Sequence, residues 1–185
     1  LIGFGDLAKS LYPLLLPFTK DINVYDPWIP KIKIKKLGFK SISLNKMFES
    51  CDVIYVLATV TTQNKHFIDK KLLNKMKSNS CFILMSRAAV VNFKDLIKQV
   101  KKRNILVATD VFPEEPVSKN SSLRKVKNIL FSAHRAGALK SAFFDMGDIV
   151  LKDMSLITKN LKPKFCKIAN KQTVNLLASK PVAIN

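Results

Sequence analysis

Leu1-Ile2-Gly3-Phe4-Gly5-Asp6-Leu7-Ala8, read together with Ile22-Asn23-Val24-Tyr25-Asp26-Pro27, decides the fold. Leu1 and Ile2 read as the end of a strand, and residues 7–18 carry apolar side chains at helical spacing, with Pro13 as a kink and Pro17 as the stop. Between strand and helix lies a G-x-G-x-x-A turn. Gly3 permits the tight turn, Gly5 lets the backbone approach a pyrophosphate, and the small Ala8 lets helix and sheet pack closely. The free N–H groups where the helix opens, at Asp6, Leu7 and Ala8, are expected to face the phosphates. Asp26 closes a second short strand, 23 positions after Gly3. An acidic side chain at that point accepts hydrogen bonds from ribose hydroxyls and repels a 2′-phosphate, so NAD is expected rather than NADP. Lys31 and Lys33 nearby weaken that preference.

The rest of the chain repeats the alternation. Residues 31–39 read as a basic linker broken by Gly38, with a short strand near its end. Residues 44–49 read as a short helix. Residues 52–57 and 81–85 are continuous apolar runs, the pattern of strands buried on both faces. Residues 69–76 form a helix capped by Asp69. Asn92 caps another that ends at Arg103, its charge order matching the helix dipole. Residues 105–111 and 129–132 are the next strands, 138–160 a long helix, and 164–185 a polar tail. Strands alternating with helices over short connections give a doubly wound parallel α/β sheet. In such a sheet ligands bind beyond the carboxyl ends of the strands, and Asp26, Arg87, Asp110 and His134 all fall at or just past predicted strand ends.

At 185 residues, with 48% apolar residues and a mean hydropathy of +0.09, the chain suits one globular domain with a full core. No apolar run approaches the ~18 residues of a membrane span. Leu1 reads as lying inside a strand whose start is missing, so a fragment is expected. Three widely spaced cysteines, Cys51, Cys81 and Cys166, form no C-x-x-C; they argue against a disulfide scaffold or a metal site and for a reducing, cytoplasmic location. The net charge is +19, yet only four of the 32 basic residues are Arg. Phosphate-gripping surfaces recruit Arg for its two parallel donors, so nucleic-acid binding is not the expected role. The charge raises the local concentration of anionic cofactors and substrates instead.

Three charged residues carry the candidate chemistry. Arg87, in Ser86-Arg87-Ala88, ends an apolar strand, and its planar fork can hold a carboxylate. His134, in Ser132-Ala133-His134-Arg135-Ala136-Gly137, can give a proton to a forming alkoxide near neutral pH. At Gly137 the backbone is free to approach a ligand. Glu115, in Asp110-Val111-Phe112-Pro113-Glu114-Glu115-Pro116, can hydrogen-bond the imidazole; Glu114 competes for that role. Asp110 is a candidate contact to the amide end of the cofactor. His66, among Gln63, Asn64 and Lys65, reads as a surface residue.

These motifs, in this order, resemble the NAD-binding domain of the D-isomer-specific 2-hydroxyacid dehydrogenases, the family of phosphoglycerate dehydrogenase and the hydroxypyruvate/glyoxylate reductases. The resemblance runs to about residue 160. It implies that Arg87 binds the substrate carboxylate and that His134 is the acid in reduction and the base in oxidation. It implies Glu115, immediately before proline, as the partner of His134, and Asp110 as a nicotinamide contact. It further implies a 2-keto or 2-hydroxy acid substrate, a homodimer, and a substrate domain mostly upstream. Residues 1–150 would then be the cofactor domain, and residues 151–185 the end of the return helix and a tail. Four departures from the pattern stand out: Ala8 and Ala88 occur where Gly is common, Arg135 where an apolar residue is, and the loop from Thr59 to Lys65 lacks the proline many members carry. Related transcriptional corepressors share this fold and can keep the catalytic residues, so a dinucleotide-sensing interaction protein is the alternative expectation.

Overall fold

The computed structural model describes residues 1–167 together with 169, 171 and 174. The elements alternate as expected: α1 (Asp6–Leu15), β1 (Asn23–Val24), α2 (Lys31–Lys36), β2 (Lys40–Ser41), α3 (Leu44–Ser50), β3 (Val53–Val56), α4 (Lys70–Leu73), β4 (Cys81–Leu84), α5 (Phe93–Arg103), β5 (Leu106–Thr109), β6 (Ile129–Phe131) and α6 (Lys140–Ile157). Strands β3-β4-β5-β6 form one parallel sheet and β1-β2 another. Ile2 joins the two, bridging Tyr25 on one side and Val56 on the other. The order is therefore β2-β1-Ile2-β3-β4-β5-β6, a doubly wound sheet. The chain runs outward from Ile2 to β2 and then returns to its other side at β3. That reversal opens a crevice beside Ile2 at the carboxyl ends of the strands, where ligands of such sheets bind.

Local chemistry sets the helix starts. Asn92, Asp69 and Ser43 each accept the hydrogen bond of a backbone N–H three residues on, satisfying a donor that the first helical turn leaves free. The segment 31–39, expected as a linker, is instead the helix α2 followed by a turn. The Lys-Ile alternation hid the helix, because within Lys31–Lys36 only Ile34 is buried and the lysines, good helix formers, point to water. Gly38, at φ +86°, then ends it and leads into β2.

The core lies on one face of the larger sheet. Ile54, Phe82 and Val107 occupy one register row, and Val56, Leu84 and Thr109 another; all are buried under side chains such as Phe48, Leu73 and Leu96. Each buried Leu, Ile or Phe contributes about 1.5–3 kcal/mol. The alternate residues are more open: Val53 is 46% exposed, and Tyr55, Cys81 and Ile83 are only half-buried. The expectation that these strands are buried on both faces is thus corrected to one buried face. The reason is that α3, α4 and α5 pack on one side, whereas α6 keeps Phe143, Phe144, Leu151 and Met154 exposed rather than covering the other. A second cluster, around Phe4, Ala8, Val24, Ile34 and Phe39, seats α1 and α2 beside the smaller sheet.

At the amino ends of the strands, three asparagines form a ladder. Asn128 Nδ2 donates to Asn104 Oδ1, and Asn104 Nδ2 donates to Asn79 Oδ1, both at 2.7 Å. Each stands one or two residues before a strand and adopts positive φ, a conformation asparagine tolerates. The tail expected over residues 164–185 falls largely outside the described residues.

Candidate active site

The glycine turn is built as its sequence demands. Gly3 has φ +87°, its N–H donates to Tyr25 O at 2.8 Å, and a Cβ there would lie 2.7 Å from Ala58 Cα. No other residue fits. Gly5 is different: it caps α1 with extended backbone, and a Cβ on it would meet no protein atom within 4 Å. Only a partner approaching from outside the fold would require its bareness. Ala8 is fully buried against the sheet, whereas Leu7 is exposed and Asp6 pairs with Lys9 and Lys167.

Asp26 closes this turn. Its Oδ2 accepts the Phe4 N–H at 2.8 Å, and its Oδ1 accepts those of Trp28 at 2.8 Å and Ile29 at 3.2 Å. The carboxylate therefore ties the glycine turn to the end of β1 and keeps acceptor capacity on Oδ2. Gly3, Phe4, Gly5 and Asp26 line a cleft of about 710 Å³, whose other walls include Trp28, Ala58, Thr61, Asn64 and Phe67. Sequence reasoning did not nominate Trp28; its place two residues past Asp26, with its backbone held by that carboxylate, was the available signal.

Asp110, Glu115 and His134 gather at the ends of β5 and β6, whereas Arg87 follows β4. His134 Nδ1 lies 2.7 Å from Glu115 Oε2, and Glu115 Oε1 accepts the Phe112 N–H at 2.8 Å. The structure thus seats Glu115, not Glu114, against the imidazole. An ionised carboxylate only accepts, so this pair puts the ring proton on Nδ1 and leaves Nε2 available for a substrate oxygen. Both residues line a second cleft of about 600 Å³, walled by Phe112, Pro116, Leu123, Arg124 and Phe131.

Asp110 is 5% exposed. Its Oδ1 accepts the Arg135 N–H at 2.9 Å and its Oδ2 the Ala136 N–H at 3.0 Å. Burial pushes its carboxyl up, but the Ser132 hydroxyl, these two N–H groups and the nearby His134 outweigh that, and it titrates below its ordinary value. Arg87 caps a 3₁₀ turn, Ala88–Val90, with its side chain exposed and Nη1 donating to Ser86 O at 2.8 Å. Beside it the buried Ser86 hydroxyl has no hydrogen-bond partner among the described residues. Gly137 carries no steric demand, since nothing lies within 4 Å of a Cβ built there. His66 is exposed, as expected, with its N–H donating to Ala89 O at 2.7 Å. Contacts join Gly3, Phe4 and Asp26, then Glu115 and His134, then Asp110 and the loop after His134; Arg87 bonds to none of these groups. Among the described residues no set of three His, Cys, Asp or Glu could hold a metal, and no helix is long and apolar enough to cross a membrane.

The sequence pattern of the family described as "D-isomer specific 2-hydroxyacid dehydrogenase, NAD binding domain" matches residues 1–136, from the glycine turn to just past His134. The chain belongs to this family. Among curated dehydrogenases it is 30% identical over 164 residues to a glyoxylate reductase of Thermococcus litoralis, covering 88% of this chain and 49% of that protein. It is 26% identical over 161 residues to a D-3-phosphoglycerate dehydrogenase of Archaeoglobus fulgidus, covering 86% and 31%. Among solved structures it resembles a phosphoglycerate oxidoreductase from Rhizobium etli, with a TM-score of 0.82, 42% identity, and 92% of this chain and 52% of that one covered. A D-lactate dehydrogenase with NAD⁺ from Lactobacillus jensenii, at 18% identity, shares the fold with a TM-score of 0.78. The chain spans about half the length of the glyoxylate reductase and less than a third of the phosphoglycerate dehydrogenase. Such relatives support the dehydrogenase reading over the corepressor alternative.

Proposed function

We propose that this chain is the cofactor-binding half of an oxidoreductase that transfers a hydride between a nicotinamide cofactor and a D-2-hydroxy acid or its 2-keto acid. The observation that carries this reading is the 2.7 Å contact between His134 Nδ1 and Glu115, at the carboxyl edge of a sheet whose first turn is a dinucleotide-type glycine loop. The residues present fit a dinucleotide: Gly5 is bare where the fold itself does not need it, and Asp6, Leu7 and Ala8 open a helix at that point. Gly3, Gly5, the start of α1 and Asp26 would hold the pyrophosphate and ribose, and Asp110 and Gly137 would face the nicotinamide end. Bound NADH supplies the hydride. Arg87 takes the keto-acid carboxylate in its fork. His134 delivers a proton from Nε2 to the carbonyl oxygen, while Glu115 holds Nδ1–H and stabilises the imidazolium before transfer. In oxidation His134 removes the hydroxyl proton at the same nitrogen.

NAD is preferred over NADP in this reading, because the Asp26 carboxylate stands where a 2′-phosphate would bring like charge. A substrate domain outside these residues completes the pocket. The exposed apolar side chains of α6 support a homodimer, and the three free cysteines support a reducing, cytoplasmic setting. The test is a titration of this chain with NADH and, separately, NADPH, repeated with Asp26→Ala. Tighter NADH binding, with the preference lost in the variant, is expected. A folded chain that binds neither nucleotide overturns the reading.

A further inference from the structure

We infer that Asp110 is a positioning residue for the candidate acid: its buried carboxylate grips the two backbone N–H groups immediately after His134 and so holds the imidazole on Glu115. The inference rests on the function proposed above. His134 sits at φ +54°, a left-handed conformation that few non-glycine residues adopt, so contacts that hold the backbone there bear on where the imidazole points. Those contacts are visible. Asp110 takes the N–H of Arg135 on one oxygen and that of Ala136 on the other, at 2.9 and 3.0 Å, fixing the chain on the far side of His134. On the near side, Ser132 N–H donates to Thr109 O at 3.0 Å, continuing the β5–β6 ladder. His134 is thus clamped before and after by the end of β5.

The same end of β5 fixes the other member of the pair. Two residues after Asp110, the Phe112 N–H donates to Glu115 Oε1 and aims Oε2 at the imidazole. Between them Val111 is tied at both backbone groups to the Thr109 hydroxyl. One short, buried segment, residues 109–112, therefore sets the acid and its partner relative to each other. Both Asp110 oxygens already accept N–H donors within the protein, so the carboxylate acts on the loop before any cofactor arrives. A role confined to touching nicotinamide would act only with cofactor bound. The two roles can be separated.

The experiment is a long-range ¹H–¹⁵N correlation spectrum of the imidazoles in this chain without cofactor, at a pH where the rings are neutral. Only His66 and His134 contribute, and His134→Gln assigns them. In the wild type, His134 is expected to carry its proton on Nδ1. Asp110→Asn keeps the shape but turns an amide N–H toward a backbone N–H, so one grip is lost. The Nδ1–H signature of His134 should then give way to a mixture of both tautomers, with His66 unchanged. Glu115→Gln should abolish the signature as well. Amide exchange in the wild type supplies a measurement independent of whether the variant folds: the Arg135 and Ala136 N–H groups should exchange slowly. Free exchange of both, or an Asp110→Asn chain whose His134 keeps the Nδ1–H signature, overturns the inference. If that variant also binds NADH more weakly, Asp110 is a cofactor contact alone and the proposed function stands. A wild type that binds no NADH and shows no Nδ1–H signature brings down both.

Discussion

Replacing Gly3 by alanine should cost this fold far more than the same change at Gly5, although both glycines belong to one motif. At Gly3 the new methyl would lie 2.7 Å from both N and Cα of Ala58 and 3.1 Å from the carbonyl carbon of Leu57. Ordinary carbon contacts begin at about 3.5 Å, so the overlap is close to 1 Å. It falls on backbone that cannot swing away, because Leu57 N–H is bonded to Ile2 O at 2.8 Å. Overpacking of this kind costs about 1–3 kcal/mol. The left-handed φ of +87° is itself unfavourable for alanine, adding about 1–2 kcal/mol. Gly3→Ala should therefore lower stability by roughly 2–5 kcal/mol, a large share of the ~5–15 kcal/mol typical of a domain. Gly5→Ala meets open space and changes only a helix cap, a loss under about 1 kcal/mol. It should nonetheless weaken NADH binding, because the methyl would stand where the pyrophosphate approaches. Urea unfolding of both variants at a common slope gives the comparison. Stability of Gly3→Ala within about 0.5 kcal/mol of the wild type would refute the reasoning.

In the protein with its substrate domain, His134→Gln should slow keto-acid reduction by roughly 10²–10⁴-fold, and Glu115→Gln by less. Neither should change NADH affinity or, the pair being partly exposed, stability by more than about 1 kcal/mol; steady-state rates and nucleotide titration check both. Acid should weaken the fold in a defined sense. Burial raises the Asp110 and Asp153 carboxyls, but hydrogen bonds outweigh it and hold both below the ordinary 3.8. Their stabilisation is thus fully present above that range and fades as pH falls through the lower folded values. Urea midpoints recorded downward from neutral pH should drop in strongly acidic buffer, and less so in Asp110→Asn.

The doubly wound order was readable because the glycine turn, the capped helices and the apolar strands agree with one another. The single helix start at Asn92 followed from one side chain. What escaped was set by tertiary contact. Lys31 to Lys36 shows a two-residue alternation, and only the burial of Ile34 under the smaller sheet makes it a helix. The strands over residues 52–57 and 81–85 looked buried on both faces because alternate residues such as Val53 and Ile83 are apolar too; nothing in the sequence says which face a helix will cover. At the site, residue types and spacing marked Glu115 and His134. They could not reveal that Asp110 spends both oxygens on backbone N–H groups, since such bonds leave no trace in the identities of Arg135 and Ala136.

The asparagine ladder joining residues 79, 104 and 128 gives the sheet two rims of opposite chemical temperament. Amide side chains carry no proton that neutral or acidic water can add or remove, so this stitching is indifferent to pH. At the opposite rim, where the candidate site lies, the Asp110 carboxylate holds the loop after His134. As acid protonates Asp110, its grip on the Arg135 and Ala136 N–H groups should weaken, whereas the asparagine bonds themselves stay as they are.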